Sequence, residues 1–222
     1  MAEKINSIIW DLGGVVYTFD QGLADNEFAR LSRLDPKIVA DLLYGQTVQS
    51  REYNDGFSGS FNLGAMTPQE FYKVTTEALN IRIGYEEFTQ IWSGIFTVNE
   101  KVRDFIIELH DRHISQATLS STDPMHLNAM NGLFNLKTLL GEKNVFATFH
   151  ADAGYKKPTK ELFDAFFNRT GFEKSESVYV DDVQKYLKAA EIYGIGATVH
   201  VNLNNSQFQK ECINDVRRLL GL

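Results

Sequence analysis

The chain has one cysteine, Cys212, among 222 residues. A single thiol excludes an intrachain disulfide and any cysteine-based metal cluster. Prolines number four, and there is no low-complexity segment or internal repeat. No apolar run approaches the ~18 residues that a membrane-spanning helix needs. The opening stretch "MAEKINSIIWD" carries only three consecutive strongly apolar residues before a charge, which is short for a secretory signal. Positive charge is also scarce: 22 Lys and Arg stand against 29 Asp and Glu, a net charge of −7. That balance argues against a nucleic-acid binder, although it permits a local basic pocket. The expectation is a cytoplasmic protein with no membrane or nucleic-acid partner. Nothing in the sequence fixes an oligomeric state, and a monomer is the favoured expectation.

Apolar mass, by contrast, is ample. The chain is 43% hydrophobic, with 16 Phe, nine Tyr and two Trp. Its length suits a core domain carrying a second, smaller one. Five β-type runs punctuate it: "SIIW" (7–10), "ISQATLS" (114–120), "NVFATFH" (144–150), "SVYV" (177–180) and "GATVHV" (196–201). Helical patterns lie between the later ones. Val102, Phe105, Ile106 and Leu109 repeat at helical spacing, and Leu162, Phe163, Phe166 and Phe167 form a second apolar face. "YLKAAEIYG" reads as a helix stopped by Gly194. From residue 97 onward this alternation predicts an α/β fold with a doubly wound, Rossmann-like parallel sheet.

The first strand breaks the rhythm. About eighty residues separate Val16 from the next core helix, where a crossover needs only about a dozen. Phe28, Leu31 and Leu34 share a face, "PKIVADLLYG" (36–45) follows, and "YEEFTQIW" (85–92) supplies a further helix. "TPQEFYKVTTEAL" (67–79) opens with a capping box, Thr67 at N-cap, Pro68 at N1 and Glu70 at N3. The stretch 51–66, with three glycines, reads as a loop or broken element. The expected division is an α/β core of residues 1–17 and 97–222 with an all-helical cap over 18–96.

Ligands of open α/β sheets gather beyond the carboxyl ends of the strands. Those ends carry Asp11, then Ser120-Ser121-Thr122, then Asp181-Asp182, with Lys156-Lys157-Pro158 before the helix that follows the third strand. Three converging carboxylates repel one another, and an all-oxygen cluster favours a hard ion such as Mg²⁺. With a cation present, Asp11 can stay ionised and act as a nucleophile toward phosphorus or carbon. A lysine would hold Asp11 and phosphoryl oxygens, and the Ser120 hydroxyl would donate to one of them.

"DLGGVV", "TLSST", "KKP" and "VYVDD" resemble, in order and setting, the four motifs of the haloacid dehalogenase superfamily. The helical insert is similar to that family's cap. The resemblance covers essentially the whole chain and implies a Mg²⁺-dependent phosphatase of a small phosphorylated metabolite, such as a sugar phosphate, working through an aspartyl-phosphate. Matched position by position, it makes Asp11 the nucleophile, Ser120 the second motif's hydroxyl and Lys157 the third motif's lysine. Asp182 and Asp181 match the acidic pair, with Asp182 the better match for direct metal contact. Gly13 would give the metal its backbone carbonyl, and Ser120, Ser121 and Lys157 would bind substrate.

Three positions depart from the family pattern. Gly13 stands where a second aspartate usually acts as general acid and base, Ser121 where asparagine is frequent, and Tyr186 where many relatives have Asn or Asp. Loss of acid–base help typically costs about 10²–10⁴ in rate, so Gly13 lowers activity without denying it. Tyr44, Arg51, Tyr53 and Asp55 are cap groups that could stand in. Two other readings remain open. A 2-haloacid dehalogenase needs no acid at position 13, although such enzymes lack an acidic pair like Asp181-Asp182. A catalytically silent binding protein would have no reason to keep all five polar residues. His110 and His113, near a helix C-terminus, read as cationic decoration of that end. His126 and Asp123, just past the second motif, could face the site, and His150 and His200 carry no assignment.

Overall fold

The computed structural model describes residues 4–45, 56–151, 154–202 and 206–222. Five parallel strands form one sheet, β1 (Ser7–Trp10), β4 (Ser115–Ser120), β5 (Val145–Ala147), β6 (Ser177–Asp181) and β7 (Ala197–His200). Their spatial order is β5-β4-β1-β6-β7, which is the doubly wound α/β arrangement expected from the alternation of strands and helices. β1 lies in the centre, hydrogen-bonded to β4 on one side and β6 on the other.

Alternation along β1 divides the core into two layers, because successive side chains leave a strand on opposite faces. Ile8 and Trp10 pack with Phe105 and Ile106 of α6 (Glu100–Asp111) and Val216 of α11 (Ser206–Leu220). Ile9 points the other way, into Phe163 and Phe166 of α9 (Lys160–Thr170) and Leu187 of α10 (Gln184–Tyr193). The aromatic run at 163–167 is therefore core. Helix α9 starts at the Thr159 cap and ends at Gly171 in the left-handed conformation (φ 76°), and Gly194 (φ 98°) ends α10 the same way.

Between β1 and α6 the chain first forms β2 (Tyr17–Phe19), which pairs antiparallel with β3 (Phe96–Val98). The expected boundaries at 17/18 and 96/97 fall inside this ribbon. Helices α1 (Gln21–Ser32), α2 (Pro36–Tyr44), α3 (Phe57–Asn62), α4 (Pro68–Leu79) and α5 (Tyr85–Ser93) lie between its strands. They share their own core of Phe28, Leu43, Phe61, Phe71, Phe88 and Trp92. The Thr67–Glu70 capping box forms as read from the sequence.

Two local expectations are corrected. Residues 57–62, within the stretch read as a loop or broken element, form the short helix α3. Phe61 stacks on Phe71 at 4.4 Å, and Ser58 Oγ donates to the Leu43 carbonyl at 2.8 Å. Tertiary contacts thus outweigh the weak helix preference of Gly59 and two serines. The strand expected over 144–150 stops at Ala147, where a 3-10 turn covers Thr148–His150. There Thr148 Oγ1 donates to the Asn62 carbonyl at 2.8 Å, so the chain leaves the sheet to meet α3.

Candidate active site

Asp11 follows β1 directly and is held in the sheet plane by its own amide, which donates to the Val180 carbonyl at 2.9 Å. Its Oδ1 accepts from the Leu12 amide at 2.8 Å. The Lys157 ammonium stands 2.9 Å from Asp11 Oδ1 and 2.9 Å from Asp181 Oδ2. All three groups are buried. Asp181 Oδ1 also accepts from the Val183 amide at 2.7 Å, and the Tyr179 hydroxyl donates to Asp181 Oδ2. One oxygen from each of Asp11, Asp181 and Asp182 can be chosen so that all lie within 4.8 Å of one another.

Electrostatics follow from that crowding. Burial raises the Asp11 carboxyl to about 7; Lys157 opposes the rise, while Asp181 and Asp182 add to it. Burial works against the Lys157 charge, yet Asp11 and Asp181 outweigh it and hold the ammonium above the ordinary lysine range. The Tyr179 phenol is pushed well up by burial and by Asp181, so it remains a donor. Three carboxylates against one ammonium leave two negative charges. An all-oxygen donor set with that surplus fits a hard divalent cation.

Glycines shape the approach. Gly14 has φ +85°, and a Cβ there would run into the Asp182 carboxylate. A Cβ on Gly13 would meet the Phe19 ring at 3.4 Å, so the space beside Gly13 is bounded by an aromatic edge from β2. Ser120 is buried at the end of β4. Two clefts open from this point. One, about 450 Å³, is lined by Gly13, Ser120 and Ser121 from the sheet side and by Gln21, Tyr44 and Trp92 from the helical insert. Its described lining holds no lysine, arginine or carboxylate. The other, about 630 Å³, is lined by Lys156, Lys157, Lys185 and Tyr186. Asn62 and Ser121 line both.

Asp11, Gly13, Ser120, Ser121, Lys157, Asp181 and Asp182 are thus brought to one end of the sheet. Tyr186 sets its ring 5.5 Å from the Lys157 ammonium, against the lysine rather than the acidic pair. His126 lines the first cleft, but both ring nitrogens are committed: Nδ1 lies 2.9 Å from the Asp123 carboxylate and Nε2 2.9 Å from the Trp92 carbonyl. Asp123 is buried as the cap of α7 (Pro124–Leu133), accepting from the His126 amide and from the Trp92 indole. It braces α5 against α7. His200 Nε2 lies 3.0 Å from the Asp182 carbonyl. His110 and His113 join no metal-competent cluster among the described residues. Arg51, Tyr53 and Asp55 lie outside the described residues.

Tyr179 escaped the sequence reading although a signal was present. It sits two residues before Asp181 on one strand, so the period of two puts both side chains on one face. Gln21, Asn62 and Trp92 reach the cleft only through tertiary packing, and no local pattern marks them.

The fold as a whole finds counterparts among known proteins. The chain is 26% identical over 181 residues to D-ribitol-5-phosphate phosphatase of Bacteroides thetaiotaomicron, covering 80% of this chain and 83% of that one. A predicted HAD-like family hydrolase from Porphyromonas gingivalis superposes with a TM-score of 0.76 at 21% identity, over 98% of each chain. A HAD family enzyme from B. thetaiotaomicron, solved with magnesium and inorganic phosphate, superposes with a TM-score of 0.72 at 19% identity, over 91% of this chain and 96% of that one. The chain has the fold of the haloacid dehalogenase enzymes. No family model matches its sequence. Among the described residues, no helix is long and apolar enough to cross a membrane.

Proposed function

We propose that the chain is a Mg²⁺-dependent phosphatase of small sugar or polyol phosphates, acting through an aspartyl-phosphate on Asp11. The observation that carries this reading is the Lys157 ammonium 2.9 Å from both Asp11 and Asp181, within a cluster of three carboxylates. Asp11 and Asp182, with the Gly13 carbonyl, would hold the ion. When bound, Mg²⁺ supplies charge neutralisation for the carboxylates and the phosphoryl oxygens. Asp11 attacks phosphorus in line with the ester oxygen, and the bond to the leaving group breaks. Lys157 fixes the attacking carboxylate and neutralises phosphoryl charge, while Ser120 donates to a phosphoryl oxygen. Asp181 positions Lys157. Water then attacks the phospho-aspartate and restores the Asp11 carboxylate.

Substrate class is supported from two sides. The cleft beside Gly13 offers hydroxyls, amides and aromatic faces with no lysine, arginine or carboxylate among its described lining, which suits a neutral polyhydroxylated group. The relative similar over four-fifths of the chain is a phosphatase of ribitol phosphate. A phosphatase of this kind works in the cytoplasm.

The test is a panel of metabolite phosphates assayed with and without Mg²⁺ on wild type and Asp11→Asn. Phosphate release that requires Mg²⁺ and vanishes in Asp11→Asn is expected. Full activity in that variant overturns the nucleophile assignment. EDTA-resistant halide release from a 2-haloacid, without phosphate release, replaces the phosphatase reading by a dehalogenase.

A further inference from the structure

Gly13 leaves the reaction without the side chain that would protonate the departing oxygen. Among the described residues, the first cleft has two titratable side chains in its lining, His126 and Tyr44. His126 is held by the fully buried Asp123 carboxylate and by the Trp92 carbonyl, contacts that brace α5 against α7, whereas the acceptor of the Tyr44 hydroxyl, Asp25, is only half-buried. Tyr44 ends α2 and shares the cleft with Gly13 and Ser120. Its ring lies nearly parallel to Trp92, with centroids 6.2 Å apart. Its hydroxyl donates to Asp25 Oδ1 at 2.9 Å and accepts from Gln21 Nε2. Gln21 and Asp25 both belong to α1.

We propose that Tyr44 delivers the proton that a side chain at position 13 would otherwise supply, with Gln21 and Asp25 as its positioning residues. The inference rests on the phosphatase reading above. In the first step Asp11 bonds to phosphorus, the ester P–O bond breaks, and its electron pair stays on the leaving oxygen. The Tyr44 hydroxyl turns from Asp25, to which it donates at rest, and gives its proton to that oxygen. The phenolate left behind accepts the Gln21 N–H. In the second step water bonds to phosphorus and gives its proton to Tyr44, and the Asp11–phosphorus bond breaks. Burial holds the Asp25 carboxyl up at about 6, against the Tyr44 hydrogen bond and with help from Asp20. Asp25 is therefore closer to sharing a proton with the phenol than an ordinary aspartate is.

The experiment compares Tyr44→Phe with wild type on two substrates, a polyol phosphate and p-nitrophenyl phosphate, both with Mg²⁺. The first has a poor alkoxide leaving group; the second departs as a stable phenolate. Tyr44→Phe is expected to lower kcat for the polyol phosphate by about 10²-fold or more. The rapid-quench burst of p-nitrophenol should stay within about threefold of wild type, because that step needs no proton. A loss in the p-nitrophenol burst rate as large as the loss on the polyol phosphate, or no loss on either substrate, overturns the proposal and leaves the phosphatase reading standing. If wild type releases phosphate from neither ester, both readings fall. A second measurement needs no variant. Across aryl and alkyl phosphates, wild-type rates should fall only shallowly as the leaving group becomes more basic. A steep fall shows that no donor acts and overturns the assignment even where Tyr44→Phe does not fold.

Discussion

Lys157 Nζ lies 2.9 Å from Asp11 Oδ1 and equally far from Asp181 Oδ2, with all three side chains buried. A single ammonium therefore joins the end of β1 to the end of β6. Removing it leaves neighbouring carboxylates buried without a cation, and a broken buried pair typically costs about 3–5 kcal/mol. Lys157→Met should lower stability by roughly that amount in urea titrations. Added Mg²⁺ should recover part of the loss, since it would neutralise the same charges. Equal stability of variant and wild type without Mg²⁺ would show that the ammonium is not the cluster's counter-charge.

Gly14 offers a separate handle on the cluster. Its φ of +85° and the closeness of the Asp182 carboxylate leave no room for a methyl group. Gly14→Ala should displace Asp182 and weaken Mg²⁺ binding by about 10–100-fold, the range seen when groups supporting a metal ligand are lost. Isothermal titration with Mg²⁺ checks this directly, and an unchanged affinity would separate Asp182 from the ion.

His150 gives the fold a pH signature away from the cluster. Its Nδ1 accepts the Ala147 amide at 3.0 Å. Burial, followed by nearby Arg169 and Lys137, lowers its pKa to about 4, against a smaller opposing pull from Glu142. The unfolded chain, with an ordinary histidine near 6.5, binds the proton first as pH falls. His150 thus stabilises the fold fully above about pH 6.5, and that contribution is lost progressively as pH drops toward 4. The loss should be roughly 1–2 kcal/mol after allowance for partial exposure. In NMR titration the His150 ring should report a midpoint near 4; a midpoint at 6.5 would contradict the buried acceptor role.

Much of this arrangement was legible because it is local. "SIIW" forms β1 over residues 7–10 and "DD" stands where β6 ends. Strand ends on a parallel sheet necessarily share one rim, so Asp11, Ser120 and Asp181 could be brought together without any long-range information. Helix α3 was hidden because its stability comes from Phe61 on Phe71 and from Ser58 on Leu43 rather than from its own sequence. The short β5 was hidden for the same reason, since the Thr148–Asn62 contact joins residues 86 apart. Tyr44 could be singled out from sequence as one of four stand-ins. What set it beside Gly13 was the packing of α2 on α1 and α3 and of the Tyr44 ring along Trp92 of α5, and no pattern within one helix encodes that.

The alternation of Ile8, Ile9 and Trp10 between two cores has a consequence for durability. A slip of β1 by one residue would drive each of these side chains into the wrong layer, and Asp11 would turn with them. Strands β4 and β6 clasp β1 from both sides, and the Asp11 amide is itself tied to Val180. That amide should exchange with solvent only when the whole sheet opens. Asp11 is thus anchored beside the central strand, while Tyr44 ends a helix whose apolar core is separate from that of the sheet. Ageing, mild denaturant or warming should blunt the proton-handling side of the rim first and leave the carboxylate in register until the end.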